Sequence, residues 1–409
     1  MKLIRYTVAA LILLTTACKT ADTVQQAQAT TQEQAKPWSV QMADSEMKRS
    51  PEGWMIDFQP KPKWDYTQGL FASALERVWK QTGDEKYLHY IKTFADTMIT
   101  ADGTIRTYKK LDYNIDRVNP GKFLIKLYEE TGDERYKIAF DNLRDQMRTH
   151  PRTSEGGFWH KKVYPHQMWL DGLYMASPFL AQYAAKYNEP ALFDDVAKQI
   201  ILVDKYTWNP EKGLYHHGWD ESREQQWADP QTGRSPEVWG RAMGWFAMSL
   251  VDVLDYLPQD HPKRAEILQI TQKLAKAIVQ YQDPKTGLWW QVVDQGGREG
   301  NYLESSASSM FTYFLVKASK KGYLDQSYMQ AANKGYQGIL DNFIRQDADG
   351  GISITEVCAV AGLGGKPYRE GTYEYYISEP KRDNDPKAVG PFIMASLEFE
   401  ELKSAAAAK

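Results

Sequence analysis

The chain has 409 residues, with 50 basic and 53 acidic side chains and a formal charge of only −3. No stretch concentrates Lys and Arg into a nucleic-acid footprint, which excludes that class of partner. Aromatic residues make up 13%, including 13 Trp and 25 Tyr; with so many carboxylates alongside, this composition suits a carbohydrate cleft, although large helical proteins are often rich in the same residues.

The N-terminus reads as an export signal. Lys2 and Arg5 precede a short apolar run, Val8 to Leu14, too short to span a bilayer. Thr15-Thr-Ala-Cys18 then places small residues before a cysteine. This arrangement resembles a bacterial lipoprotein signal, with residues 1–17 removed and Cys18 acylated; an ordinary signal peptide is the alternative. Residues 18–37 are polar and read as a flexible tether. The expected location is the bacterial cell envelope, held to the membrane through the lipid alone. The only other cysteine, Cys358, has no visible His partner and is read as a small core residue.

From residue 38 the apolar period is that of helices, about twelve, starting near residues 38, 67, 84, 116, 133, 166, 190, 236, 261, 301, 325 and 385. Gln81-Thr-Gly-Asp-Glu-Lys-Tyr87 and Glu130-Thr-Gly-Asp-Glu-Arg-Tyr136 are near copies. In each, Gly stops one helix, Asp caps the next and Tyr opens its apolar face. A glycine followed by apolar or aromatic residues recurs at Asp102, Glu155, Lys212, Thr286 and Asp349, the rhythm of a two-helix repeat. Twelve helices in six hairpins predict an all-α fold, the (α/α)6 barrel, with an open helical solenoid as the competing architecture. One catalytic domain is expected over residues 38–403, and residues 404–409 are expected to be a disordered tail.

Chemistry concentrates at a few places. Met168-Trp-Leu-Asp-Gly-Leu-Tyr-Met175 sets Asp171 among large apolar neighbours. Such surroundings disfavour an ionised carboxylate, so Asp171 is a candidate general acid. His160 lies just upstream. Trp64-Asp-Tyr-Thr-Gln-Gly69, Asn114-Ile-Asp-Arg-Val-Asn-Pro-Gly121 and Ser235-Pro-Glu-Val-Trp-Gly-Arg241 each open a helix. Trp239 and Trp245 are candidates to stack on sugar faces, and Arg241 to grip a carboxylate through two parallel hydrogen bonds. Each alone has a plainer reading, as a cap or a core residue. His160, His166, His216 and His217 show no metal-ligand spacing, so no metal or cofactor is expected. Gly362 to Pro367 lacks phosphate-loop spacing and is read as a flexible loop.

These motifs, with Arg152-Thr-Ser-Glu-Gly-Gly-Phe-Trp-His160 and Tyr302-Leu-Glu-Ser-Ser306, resemble the unsaturated rhamnogalacturonyl hydrolases of glycoside hydrolase family 105, from about Trp64 to Leu402. The resemblance implies an (α/α)6 barrel and a glycosidase acting on lyase-generated oligosaccharides. These carry a 4,5-unsaturated uronic acid at the nonreducing end, and the enzyme hydrates its enol ether. Asp171 would be the general acid and base. Asp116 would be the second carboxylate, orienting substrate and repelling charge on Asp171. Asp65, Tyr66, His160, Tyr164, His217, Trp239, Arg241, Trp245 and, from the C-terminal loop, Tyr373 would bind substrate.

Arg117 and Pro120, and the loop from Gly362 to Glu370, depart from the compact family pattern. Lys109, Lys110, Arg117, Lys366 and Arg369 lie in or near such loops and are read either as contacts to an anionic or sulfated second sugar or as ordinary solvated charges. A polysaccharide lyase or inverting glycosidase on the same barrel, and a glycan-binding surface lipoprotein without chemistry, are the alternatives.

Overall fold

The computed structural model describes residues 36–407. The export signal, Cys18 and most of the tether lie outside the described residues. A compact unit begins at Trp38. It contains thirteen α-helices among the described residues: α1 (Trp38–Arg49), α2 (Tyr66–Thr82), α3 (Glu85–Met98), α4 (Gly121–Thr131), α5 (Glu134–Thr149), α6 (Leu170–Lys186), α7 (Ala191–Thr207), α8 (Gly240–Leu254), α9 (Arg264–Gln280), α10 (Ser305–Lys320), α11 (Tyr328–Asn342), α12 (Tyr373–Ser378) and α13 (Pro386–Ala407).

The helices close into a ring. α2, α4, α6, α8, α10 and α13 each pack against the next, and α13 returns to α2. α1, α3, α5, α7, α9 and α11 lie outside, each packed, among the inner helices, chiefly against one. This is the (α/α)6 barrel, and closure of α13 on α2 excludes the open solenoid. Burial follows the same division. α8 is buried on nearly every face, as a helix with neighbours all round must be. The outer helix α3 buries one stripe: Tyr87, Tyr90, Ile91, Phe94, Ala95 and Met98.

The repeated Thr-Gly-Asp-Glu punctuation works as its chemistry dictates. Gly83 and Gly132 close α2 and α4 in the left-handed region, at φ 69° and 67°. The next residue, Asp84 or Asp133, accepts the backbone N–H of Lys86 or Arg135 and starts the following helix. Tyr87 and Tyr136 then enter the core. Pro120 is accommodated because the facing residue is Gly69; a Cβ there would come within 2.7 Å of Pro120 Cα.

Two expectations are corrected. The segment expected to start a helix near 116 is a 3-10 turn, Ile115–Val118, and α4 begins at Gly121. The chain beyond 403 is not frayed as far as it is described: α13 runs to Ala407, carried by a run of alanines, the strongest helix former. Four small antiparallel pairs join the hairpin loops: β1 (Gln167–Trp169) with β4 (Gly218–Asp220), β2 (Trp208–Asn209) with β3 (Leu214–Tyr215), β5 (Ile344–Gln346) with β6 (Ile352–Ile354), and β7 (Val357–Cys358) with β8 (Lys381–Arg382). Cys358 is fully buried in β7, and burial pushes its thiol pKa up, as suits an inert core residue.

Candidate active site

Inner helices run outer-to-inner in the same sense, so their N-termini share one rim. A cleft of about 460 Å³ opens there. α2 brings Asp65 and Tyr66, the turn before α4 brings Asp116 and Arg117, and α6 brings Asp171 and Met175. α8 supplies Trp239, Arg241 and Trp245, and α13 supplies Lys387. α10 contributes from behind: Glu304, its N-cap, faces Arg241.

Asp171 is buried, with its side chain 12% exposed. Its Oδ2 is sealed from solvent, which leaves Oδ1 as the oxygen turned to the cleft. Behind it stands His217, fully buried, with Nε2 3.1 Å from Oδ2. The ring N–H does not point along that line, so this is a close approach and not a formed hydrogen bond. Nδ1 of His217 is 2.7 Å from the Tyr376 hydroxyl, and Tyr376 stacks on Trp239 at 5.8 Å. The pairing of β1 with β4 fixes this arrangement, since Trp169 lies opposite Gly218, with Asp171 two residues beyond the one and His217 next to the other.

Asp116 pairs with Lys161 Nζ at 2.5 Å and approaches His160 Nε2 at 3.6 Å. Lys161 thus answers its charge directly, which the like-charge picture of two bare carboxylates did not include. Burial holds the His160 imidazole well below its ordinary pKa, so the ring is neutral at pH 7. A neutral imidazole both donates and accepts, as a sugar hydroxyl requires. His160 stacks on Trp169 at 4.4 Å, and Trp169 on Tyr164 at 5.0 Å. The three rings form one wall beside Asp171.

Asp65 is both cap and cleft residue. Its Oδ1 accepts the Tyr66 N–H, and its carboxylate pairs with Lys63 at 2.7 Å. Tyr66 meets Trp245 edge-on at 6.2 Å, and burial raises its phenol pKa well above the usual value. Trp239 and Trp245 line the cleft but are 1% exposed, so they present edges of a packed wall more than open stacking platforms.

Three expectations fail. His217, expected to bind substrate, is fully buried behind Asp171 and does not line the cleft. Arg241 does not hold its guanidinium free for a ligand. It is 1% exposed, with Nε donating to Ser306 at 2.7 Å and Nη2 to the Cys358 carbonyl, and Glu304 lies 3.4 Å away. Burial without partners would be costly, so these contacts consume the donors that a bidentate grip needs. Tyr373 does not line the cleft; its hydroxyl bonds the carbonyls of Arg298 and Glu299, and Arg298 covers its ring at 3.5 Å. Tyr376, one helical turn later, is the member of that segment that reaches the site. Of the five cationic loop residues, Arg117 and Arg369 line the cleft, and Lys109, Lys110 and Lys366 do not. The four histidines scatter, and no group of three or more metal-ligating side chains converges among the described residues.

Residues 38–403 match the profile of Glycosyl Hydrolase Family 88. The chain belongs to that family. A solved glycoside hydrolase from family 105 of C. acetobutylicum ATCC 824 is 44% identical, with a TM-score of 0.86, over 90% of this chain and all of that one. Protein Atu3128 of Agrobacterium fabrum is 40% identical over 230 residues, 55% of this chain and 97% of the relative. The unsaturated rhamnogalacturonyl hydrolase YesR of Bacillus subtilis is 26% identical over 323 residues, 78% of this chain and 86% of the relative. The resemblance to family 105 drawn from the motifs holds, and the protein is a glycosidase.

In this family 88 glycosidase several cleft residues had no sequence signal of their own. Asp57 and Lys63 come from loops at the mouth, Arg382 from β8 and Lys387 from the first turn of α13, and Lys161 and Trp169 lie one and two residues from His160 and Asp171. Adjacency to His160 and Asp171 was the available clue for the last two.

Proposed function

We propose that the protein removes a 4,5-unsaturated uronic acid from the nonreducing end of short oligosaccharides by hydrating its enol ether, with Asp171 as general acid and base. The observation that carries this reading is the Asp171 carboxyl, one oxygen turned to the cleft and the other backed by His217 at 3.1 Å. Oδ1 donates a proton to C4 of the sugar, and positive charge develops at C5 and the ring oxygen. Water adds at C5 and returns a proton to Asp171. The hemiketal opens, and the aglycone leaves from C1. Neutral His160 and Asp116, held by Lys161, orient the hydroxyls. The relative from Bacillus subtilis, named for an unsaturated rhamnogalacturonyl substrate, supports the same substrate class.

The test is the ultraviolet absorbance of the enol ether in an unsaturated uronyl disaccharide. Loss of absorbance supports hydration. A gain on an intact polysaccharide would mean a lyase, and no change with either would mean a binding protein. We propose further that Cys18 carries a lipid that anchors the enzyme in the bacterial envelope; metabolic labelling with an alkyne fatty acid, lost in Cys18→Ser, tests this.

A further inference from the structure

Seven basic side chains line the cleft, and six of them are answered by a carboxylate. Lys63 pairs with Asp65 at 2.7 Å and Arg117 approaches the same group at 3.7 Å. Lys161 pairs with Asp116, Arg241 with Glu304, and Arg382 and Lys387 with Asp385. Among the described residues Arg369 has no carboxylate partner. It is half-buried, on the loop between β7 and α12.

This side chain is held in place by neutral groups. Nε donates to the Gly364 carbonyl at 2.8 Å, and Nη2 to the Leu363 carbonyl at 3.0 Å and the Tyr164 hydroxyl at 2.8 Å. The backbones of Gly364 and Arg369 bond each other in both directions, so the loop read from sequence as flexible is a pinned hairpin. Gly362 leaves the seat open: a Cβ there would lie 2.2 Å from Nη1. Nη1 itself makes no hydrogen bond among the described residues and keeps two N–H donors. Tyr164, which accepts from Nη2, has its own O–H proton to give. The guanidinium also lies 5.9 Å from the Trp169 ring, two residues from Asp171.

We infer that Arg369 Nη1 and the Tyr164 hydroxyl together bind the carboxylate of the unsaturated uronic acid, making Arg369 the residue that selects an acidic sugar over a neutral one. The inference rests on the hydration reading above. A fixed, unanswered positive charge beside a ready hydroxyl donor fits a carboxylate, and the carboxylate on C5 is the one anionic group every such substrate carries. Arg241, the residue the sequence offered for this task, is already committed within the protein.

The experiment compares kcat/KM on an unsaturated uronyl disaccharide and on its methyl ester, in wild type, Arg369→Gln and Arg369→Lys. The ratio of the two substrates cancels their intrinsic reactivities when compared between variants. Arg369→Gln should cut the preference for the free acid about 10- to 100-fold, the worth of a charged hydrogen bond, mostly through KM. Arg369→Lys, which keeps the charge, should retain part of it. Equal loss on both substrates in Arg369→Gln would reduce Arg369 to a loop clamp and overturn the inference. Calorimetric binding of acid and ester to Asp171→Asn gives the same comparison without turnover. Wild type that consumes neither substrate would instead overturn the hydration reading itself.

Discussion

His217 joins Tyr376 to Asp171: one ring nitrogen lies 2.7 Å from the tyrosine hydroxyl and the other 3.1 Å from the carboxyl. The imidazole is fully buried and does not line the cleft. On the proposed mechanism it would act on a substrate only through Asp171, as a positioning residue. Asp171→Asn should bind substrate and lose turnover by about 10³-fold or more, the scale of a lost general acid. Tyr376→Phe should lower kcat about tenfold with KM nearly unchanged, because one hydrogen bond orienting the ring is lost. Steady-state kinetics on an unsaturated disaccharide checks both; a Tyr376→Phe enzyme changed only in KM would refute the positioning role.

Arg241 and Glu304 are 1% and 0% exposed. Removing one charge strands the other in a poorly solvated site. Glu304→Gln should therefore destabilise the fold by about 3 kcal/mol or more. It also weakens the acceptor of the Ala307 N–H at the start of α10. Urea denaturation of the purified variant reads this out, and a midpoint equal to wild type would contradict it.

Lys122 of α4 gives a pH signature. Burial pulls its pKa from 10.5 down to about 7, and its ammonium finds no hydrogen-bond partner, only the Tyr174 ring at 3.7 Å. Arg77 and Lys317 add repulsion, and Asp252 attracts. Below pH 7 the folded and unfolded states both hold the proton, and the full cost of burying the charge is present. As pH rises from about 7 to 10.5 the folded state releases its proton while the unfolded state keeps it, so this group's contribution to stability rises. Lys122→Met should stabilise the protein at pH 6 and flatten that rise. Denaturant midpoints of both proteins at pH 6 and pH 9 test the sign.

Gly83 and Gly132 hold left-handed backbone with no atom near the position a Cβ would take. Alanine at either should cost about 1 kcal/mol through backbone strain alone. Calorimetric melting of the single and double variants measures this.

Much of the barrel was legible because its punctuation is local. Gly83-Asp84 and Gly132-Asp133 end and restart helices by their own backbone chemistry, whatever surrounds them. The site was legible where a residue opens an inner helix, as Asp65, Tyr66, Asp171, Trp239 and Arg241 do, because a closed ring brings those starts together. What stayed hidden depends on orientation. Tyr373 and Tyr376 differ by one helical turn, and only the true start of α12 decides which faces His217. Arg241 points a guanidinium either at a ligand or at Glu304 and the Cys358 carbonyl, and the spacing is the same for both. Lys161 reaches the cleft from a loop, Arg382 from the two-residue β8 and Lys387 from the first turn of α13, placements that no periodicity records.

The shared rim of the six inner helices has an electrical consequence. Each helix N-terminus presents unpaired N–H groups worth about half a positive charge. Six of them set round one bowl give the scaffold an anion-attracting field before any side chain is counted. The acids that begin these helices, Asp65, Asp171, Glu304 and Asp385 among them, temper that field while Arg369 leaves it locally unbalanced. On the proposed function, the backbone would draw a charged sugar inward and the side chains would decide which way round it lies.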